Sequence, residues 1–280
     1  MRTDTQHLIK GTPGSIALCE RMAKRTNGTI IFGFSRGKDA VCAWLWLRRF
    51  FHTIIPFHIA TIPHLSFVDR SLAYYEDVFQ TKIIRFVSGD SRWLMHNLLF
   101  QPGGDEKRIL EVNRAVYRPT DTKRYDNNDL TNVVRGMYET EHGKTMPDGG
   151  WVAFGISAYD SLFRRLRMTE KGGGLKKDAG IRESTKVFFP CYDWHTTDVV
   201  RAIELSGIRL PDDYTMSNRT VATIDCGNLA RMKRTHYKDF LRVRSFFPFI
   251  EAHIARNEFR KMRQKGITGV KDYPKREQAY

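Results

Sequence analysis

Cysteine is scarce in this chain of 280 residues, and the four present (Cys19, Cys42, Cys191 and Cys226) never fall into C-x-x-C spacing. That excludes a disulfide framework and a zinc site of paired cysteines, and free thiols suit a reducing, cytoplasmic setting. Long apolar runs are missing too. No stretch approaches the roughly 18 apolar residues that a membrane-spanning helix needs. The opening Met1-Arg2-Thr3-Asp4 leads into no apolar run with a small-residue cleavage site, so a secretory signal is not expected. Acidic residues are outnumbered: 31 Asp and Glu face 46 Lys and Arg, a net charge of +15. The excess points to a polyanionic partner or substrate and says nothing about fold. An apolar content of 41% is nonetheless that of a folded chain rather than a disordered one.

What is present alternates. The pattern predicts a helix over 12–27, a buried strand over 29–34, a helix over 38–51, a strand over 54–62, a helix over 67–79 and a strand over 82–87. Regularity lapses between 101 and 150, where helices over 106–116 and 130–138 are joined by polar, turn-rich loops. A strand over 151–156, a helix over 158–168, a glycine-rich loop over 169–174, a strand over 186–192 and a helix over 196–205 ended by Gly207 restore it. After Cys226 only basic, aromatic helices follow. Strands alternating with helices predict an α/β, doubly wound, mostly parallel sheet. That domain covers 1–228, with an insertion at about 101–150, and a basic helical C-terminal extension covers 229–280.

The most informative residues are Ser35-Arg36-Gly37-Lys38-Asp39-Ala40, between the first strand and a helix. A glycine lets the backbone turn tightly, and amides at the helix start point towards an anion. Lys38 and Arg36 add mobile positive charge, Ser35 a hydroxyl, and Asp39 a carboxylate able to hold Mg2+. This is not a Walker A loop, because the residue after Lys38 is acidic and the glycines are spaced too closely. A Gly-Lys-Asp turn is also an ordinary way to begin a helix. Its place after the first strand favours the anion reading.

This segment resembles the S-G-G-K-D-S pyrophosphate loop of the adenine nucleotide α-hydrolase-like superfamily, which includes the PP-loop ATP pyrophosphatases and the phosphoadenosine phosphosulfate (PAPS) reductases. Two later segments are similar to the PAPS reductase branch. Gly155-Ile156-Ser157-Ala158-Tyr159-Asp160-Ser161 with Arg164-Arg165 looks like its strand-end glycine, acidic/Ser pair and arginine. Pro190-Cys191-Tyr192-Asp193-Trp194 through Asp198-Val199 looks like P-x-x-D-W-x-x-x-D-V, with Leu210-Pro211 and Tyr214 in the family's continuation. The resemblance implies an ATP or related adenine nucleotide site at Ser35, Arg36, Gly37, Lys38, Thr61, Gly155, Asp160, Arg164 and Arg165. Lys38 and Asp39 would be catalytic, and Asp39 a Mg2+ ligand.

Periodicity gives the second segment its own reading. Tyr159, Leu162, Phe163 and Leu166 predict a core stripe, and Ser157, Asp160, Ser161 and Arg164 a polar face beyond a strand end, where ligands of open sheets bind. Arg164 and Arg165 are then phosphate clamps, or Asp160–Arg164 is a solvated i, i+4 pair. Trp194 reads as core. Asp193 to Asp198 reads as a helix start with its acidic complement.

Three departures limit the resemblance. Ala40 replaces the loop's last serine. Ala60-Thr61-Ile62 stands where the family has D-T-G, so a carboxylate is missing, with His64 and Asp69 as neighbouring substitutes. No cysteine follows Cys226, so the C-terminal E-C-G-L/I-H nucleophile of PAPS reductases is absent, which argues against thiolate chemistry. Paired cysteines for an iron–sulfur cluster are lacking as well, and none is expected. What remains is adenylylation of a substrate with release of pyrophosphate. The alternatives are a sulfonucleotide reductase using an external thiol, and a non-catalytic nucleotide- or nucleic-acid-binding partner.

Residues 229–280 carry 14 Lys and Arg against 5 Asp and Glu, +9 of the chain's +15. Tyr237, Phe240, Leu241 and Phe247, and then Ala255, Phe259 and Met262, offer apolar stripes for docking. Arg256, Arg260 and Arg263 align on another face, as a solvated cationic surface or as contacts to DNA or RNA phosphates. Aromatics and cations are not segregated, which disfavours a membrane-surface role. A homo-oligomer or a partner protein is compatible with everything above.

Overall fold

A strand of β-branched and aromatic residues must be covered on both faces, and the first one is: all five residues of β1 (Thr29–Gly33) are buried. The computed structural model describes residues 9–87, 118–119, 127–169, 175–176, 178–217 and 226–264. With β1, a seven-stranded sheet contains β2 (Thr53–Ala60), β3 (Ile84–Val87), β4 (Arg118–Pro119), β5 (Val152–Phe154), β6 (Ile181–Arg182) and β7 (Val187–Phe188). The order is β4-β3-β2-β1-β5-β7-β6, and every pairing is parallel except β6 with β7. The chain therefore builds outward from β1 through β2 and β3, then returns to β1's other side with β5. The fold is the α/β, mostly parallel, doubly wound sheet that the alternation predicts.

Side-chain alternation along β1 divides the core. Ile30 and Phe32 face one cluster, packed by α1 (Pro13–Arg25), α2 (Lys38–Leu47), α3 (Ser66–Phe79) and α6 (Thr196–Ser206). Ile31 faces the other, with Leu130, Val134 and Tyr138 of α4 (Asn127–His142). Every residue of α2 from Ala40 to Leu47 is buried, and Trp44 stacks on Phe79 with ring centroids 4.0 Å apart. The helix ends at Leu47, and Arg48 and Arg49 after it are solvent-facing. Thr12 caps α1 by accepting from the Ser15 amide at 3.1 Å, and Gly207, at φ +64°, ends α6 as expected.

The region past Cys226 forms α8 (Cys226–Thr235), α9 (Tyr237–Phe246) and α10 (Ile250–Gln264). Leu229, Met232, Phe240, Val243, Phe246, Ile250 and Ile254 belong to the principal core. The buried Asp239 carboxylate accepts from the Ser66 amide at 2.6 Å and from its hydroxyl at 2.7 Å, so α9 caps the start of α3. The division at residue 228 is thus one of sequence character rather than of packing.

Two expected elements differ. The helix expected over 158–168 is α5 (Leu162–Met168), capped by Ser161, while Ala158 to Asp160 make a turn. The Ala158 amide donates to Tyr192 O at 2.8 Å and Ser157 Oγ to Trp194 O at 2.5 Å, which ties this stretch down before the helix begins. Leu162, Phe163 and Leu166 are consequently 74%, 62% and 64% exposed, and the expected core stripe is on the surface. The strand expected over 186–192 shortens to β7, since Tyr192 turns back on Phe189 directly after the pairing with β6 ends. The helix expected over 106–116 and most of the 169–174 loop lie outside the described residues. No helix among the described residues is long and apolar enough to cross a membrane.

Candidate functional site

Strand order reverses between β1 and β5, and in open parallel sheets the crevice beyond the C-terminal strand ends at such a point is where ligands bind. Ser35 to Asp39 leave β1 into this crevice, with Gly37 as the N-cap of α2. Gly155 leaves β5 beside them. A β-carbon on Gly155 would lie 2.5 Å from Asp39 O and 2.7 Å from Ala40 Cα, so only glycine permits this approach of the two loops. Gly155→Ala is expected to destabilise the protein by about 1–3 kcal/mol through overpacking against backbone. Chemical denaturation of the variant beside the unaltered chain checks this.

The side chains converge accordingly. Lys38 Nζ lies 2.7 Å from Asp39 Oδ1 and 4.0 Å from Asp160 Oδ1. Asp160, just before α5, also pairs with Arg164, four residues on. These four groups are partly exposed, between 24% and 38%, and so reachable by a ligand. Ser35 is exposed at the mouth, and Thr61 follows the C-terminal end of the neighbouring β2. Arg165 is turned aside. It lies over the Tyr159 ring at 5.5 Å, and that ring stacks on His195.

Arg36 departs most from expectation. Its guanidinium is 2% exposed rather than mobile in the crevice, and it meets the fully buried Asp213 at 3.0 Å and Ser71 Oγ at 2.9 Å. Its backbone is left-handed, φ +66°, which is uncommon for a side-chain-bearing residue. At this left-handed position the Arg36 side chain is turned inward, although its loop leads to Lys38. Nearby His58 is buried, and burial, then the Arg36 charge, lowers its pKa to about 3. It remains neutral, with Nδ1 2.8 Å from Phe34 O.

The substitutes for the missing D-T-G carboxylate hold one another. His64 Nδ1 lies 3.5 Å from Asp69 Oδ2, and Arg85 lies 3.4 Å from the same carboxylate. Asp198 accepts from the His195 amide at 2.8 Å, a helix-start role. Asp193 accepts from the Thr12 hydroxyl, and burial raises its pKa. Trp194 is core, 1% exposed, donating to Ser15 Oγ. Cys19, Cys42 and Cys191 are buried. Burial pushes the Cys19 and Cys191 thiols well up, which makes them poor nucleophiles. Cys226, partly exposed, opens α8.

Two residues had no role assigned from sequence. Asp213 and Tyr214 begin the short α7 (Asp213–Ser217). The Lys38 amide donates to the Tyr214 hydroxyl at 2.8 Å. Only the Leu-Pro-Asp-Asp-Tyr continuation hinted at them, and nothing in it shows that an acid 177 residues away neutralises Arg36.

No protein-family model matches the chain, and no curated protein does. Among solved structures it is similar to the U34-tRNA thiolase NcsA from Methanococcus maripaludis with its 4Fe–4S cluster. Identity there is 14%, over 85% of this chain and 79% of that one, with a TM-score of 0.41. It is also similar to the NH3-dependent NAD synthetase from Campylobacter jejuni in complex with nitrate ion. Identity is 10%, over 92% of this chain and 97% of that one, with a TM-score of 0.37. Likeness this low says nothing of the reaction. Among the described residues, no group of three or more His, Cys, Asp or Glu is arranged to hold a metal ion.

Proposed function

We propose that this chain binds ATP or a related adenine nucleotide in the crevice beyond β1 and β5 and adenylylates an acceptor in nucleic-acid modification. The observation that carries the reading is the convergence of two segments about 120 residues apart. The loop at Ser35 to Asp39 and the turn at Gly155 to Asp160 meet backbone to backbone, and Lys38 spans them. One cation thereby reaches two carboxylates at the start of a helix, an arrangement suited to phosphate with a divalent ion.

In the proposed reaction an acceptor atom forms a bond to the α-phosphorus. The bond from that phosphorus to the bridging oxygen breaks, and pyrophosphate leaves with the electron pair. Lys38 compensates the charge that grows on the leaving oxygen, and the loop amides fix its position. Arg164, held by Asp160 at the crevice edge, is a second cation for the phosphates. Asp39 and Asp160 fit Mg2+, which is commonly held by one or two carboxylates together with substrate phosphates. When bound, the ion would neutralise phosphate charge. The exposed Arg256, Arg260 and Arg263 on α10 supply the surface for DNA or RNA phosphates.

Incubation with α-labelled ATP, Mg2+ and candidate nucleic acids tests this reading, with release of pyrophosphate and transfer of label as the expected result. Release of sulfite from PAPS with an added thiol would instead establish the reductase alternative. Nucleotide binding with no turnover on any acceptor would leave a binding partner only. Charge reversal of the three α10 arginines should weaken nucleic-acid binding and flatten its salt dependence, by about one slope unit for each arginine that pairs with a phosphate.

A further inference from the structure

The donor that the nucleotide reading needs is already in use. The Lys38 amide, at the first turn of α2, donates to the Tyr214 hydroxyl at 2.8 Å. An amide hydrogen directed at this oxygen cannot also serve a phosphate at full strength. Tyr214 is not there by chance of a loose side chain. Asp213, one residue before it, is fully buried on Arg36, which belongs to the same loop as Lys38. The Tyr214 amide donates to Pro211 O at 3.0 Å, and Tyr75 Oη donates to Arg209 O at 2.9 Å, holding the approach to α7 against α3. Backbone and anchor are fixed, so rotation of the Tyr214 side chain alone uncovers the amide.

We infer that Tyr214 is a built-in occupant of the phosphate seat, a self-competitor whose hydroxyl the incoming nucleotide phosphate displaces from the Lys38 amide. The inference rests on the nucleotide reading above and adds a regulation to that site. Physical chemistry sets the direction of exchange. A helix start favours an anion over a neutral oxygen, and an amide bond to an anion is roughly twice as strong as one to a neutral acceptor. Burial raises the Tyr214 pKa, so the hydroxyl holds the seat as a neutral group. The arrangement satisfies the amide in the free protein and raises the threshold for occupancy. Weak anions are excluded, while a nucleotide polyphosphate with Lys38 and Arg164 to meet it is admitted.

Tyr214→Phe removes the competing oxygen and keeps the ring. Its affinity for Mg·ATP, measured by calorimetry on the full chain, is expected to rise about three- to tenfold, the effect of one hydrogen bond. Tyr214→Leu, also without the hydroxyl, must move the same way. Unchanged or weaker binding by both variants overturns the inference, because the hydroxyl would then be irrelevant or a phosphate donor. Lys38→Ala separates the two ideas. If the unaltered chain binds ATP no better than Lys38→Ala, the site itself is wrong. If binding depends on Lys38 yet neither Tyr214 variant gains, the site stands and the self-competition falls. Absence of binding to ATP and to inorganic pyrophosphate by the unaltered chain and both Tyr214 variants ends both.

Discussion

Lys38→Ala is expected to lower ATP affinity by about 10- to 100-fold, the weight of one charge-assisted hydrogen bond to phosphate. Two effects act together. The ammonium that would meet the phosphates is lost, and Asp39 and Asp160, which now share it at 2.7 Å and 4.0 Å, are left to repel each other and the ligand. The fold should be spared, since the side chain is 24% exposed and stands at the rim of the crevice rather than in the core. Lys38→Arg keeps the charge and should recover part of the loss. Titration calorimetry with Mg·ATP gives the answer, and equal affinities for the variant and the unaltered chain would remove the loop from the site.

The second large effect concerns stability. Asp213→Ala should cost about 3–5 kcal/mol, because it strands the Arg36 guanidinium in an apolar surrounding. The pair is buried at both ends, 2% and 0% exposed, and Ser71 is the other side-chain oxygen at the guanidinium among the described residues. Replacing both partners, as in Arg36→Met with Asp213→Leu, should cost much less than the single change, since neither charge is then left alone. Urea denaturation of the two variants decides it. A double variant as unstable as the single one would mean that the packing of α7, rather than its charge, holds the loop. The same variants report on function, because the pair links the loop to the segment carrying Tyr214.

Sequence patterning carried the strands and helices through 87, and it did so for physical reasons that are local. Thr29 to Phe34 is continuously apolar because the strand is covered on both faces, and Arg48-Arg49 marks where α2 leaves the core. The loop was legible because glycine and helix-start chemistry need no distant partner. Periodicity failed at Tyr159, Leu162, Phe163 and Leu166. The spacing is helical, yet the bonds of Ser157 and Ala158 to the 192–194 turn delay the helix and leave the last three on the surface. The basic tail was legible in part. Phe240 and Phe247 of its expected docking stripe are buried in the core, while Val243, Phe246 and the buried Asp239 looked ordinary one at a time.

By itself the sequence determined that the chain folds as alternating strands and helices and that a cationic glycine turn follows the first strand. It also determined that positive charge gathers past residue 228. Only the tertiary structure decided what each cation does. Lys38 reaches the crevice and Arg36 does not, because a left-handed residue sends its side chain inward to a carboxylate that folding brings from 177 positions away. Charge is a property of composition, but its availability depends on burial and on partners remote in the chain.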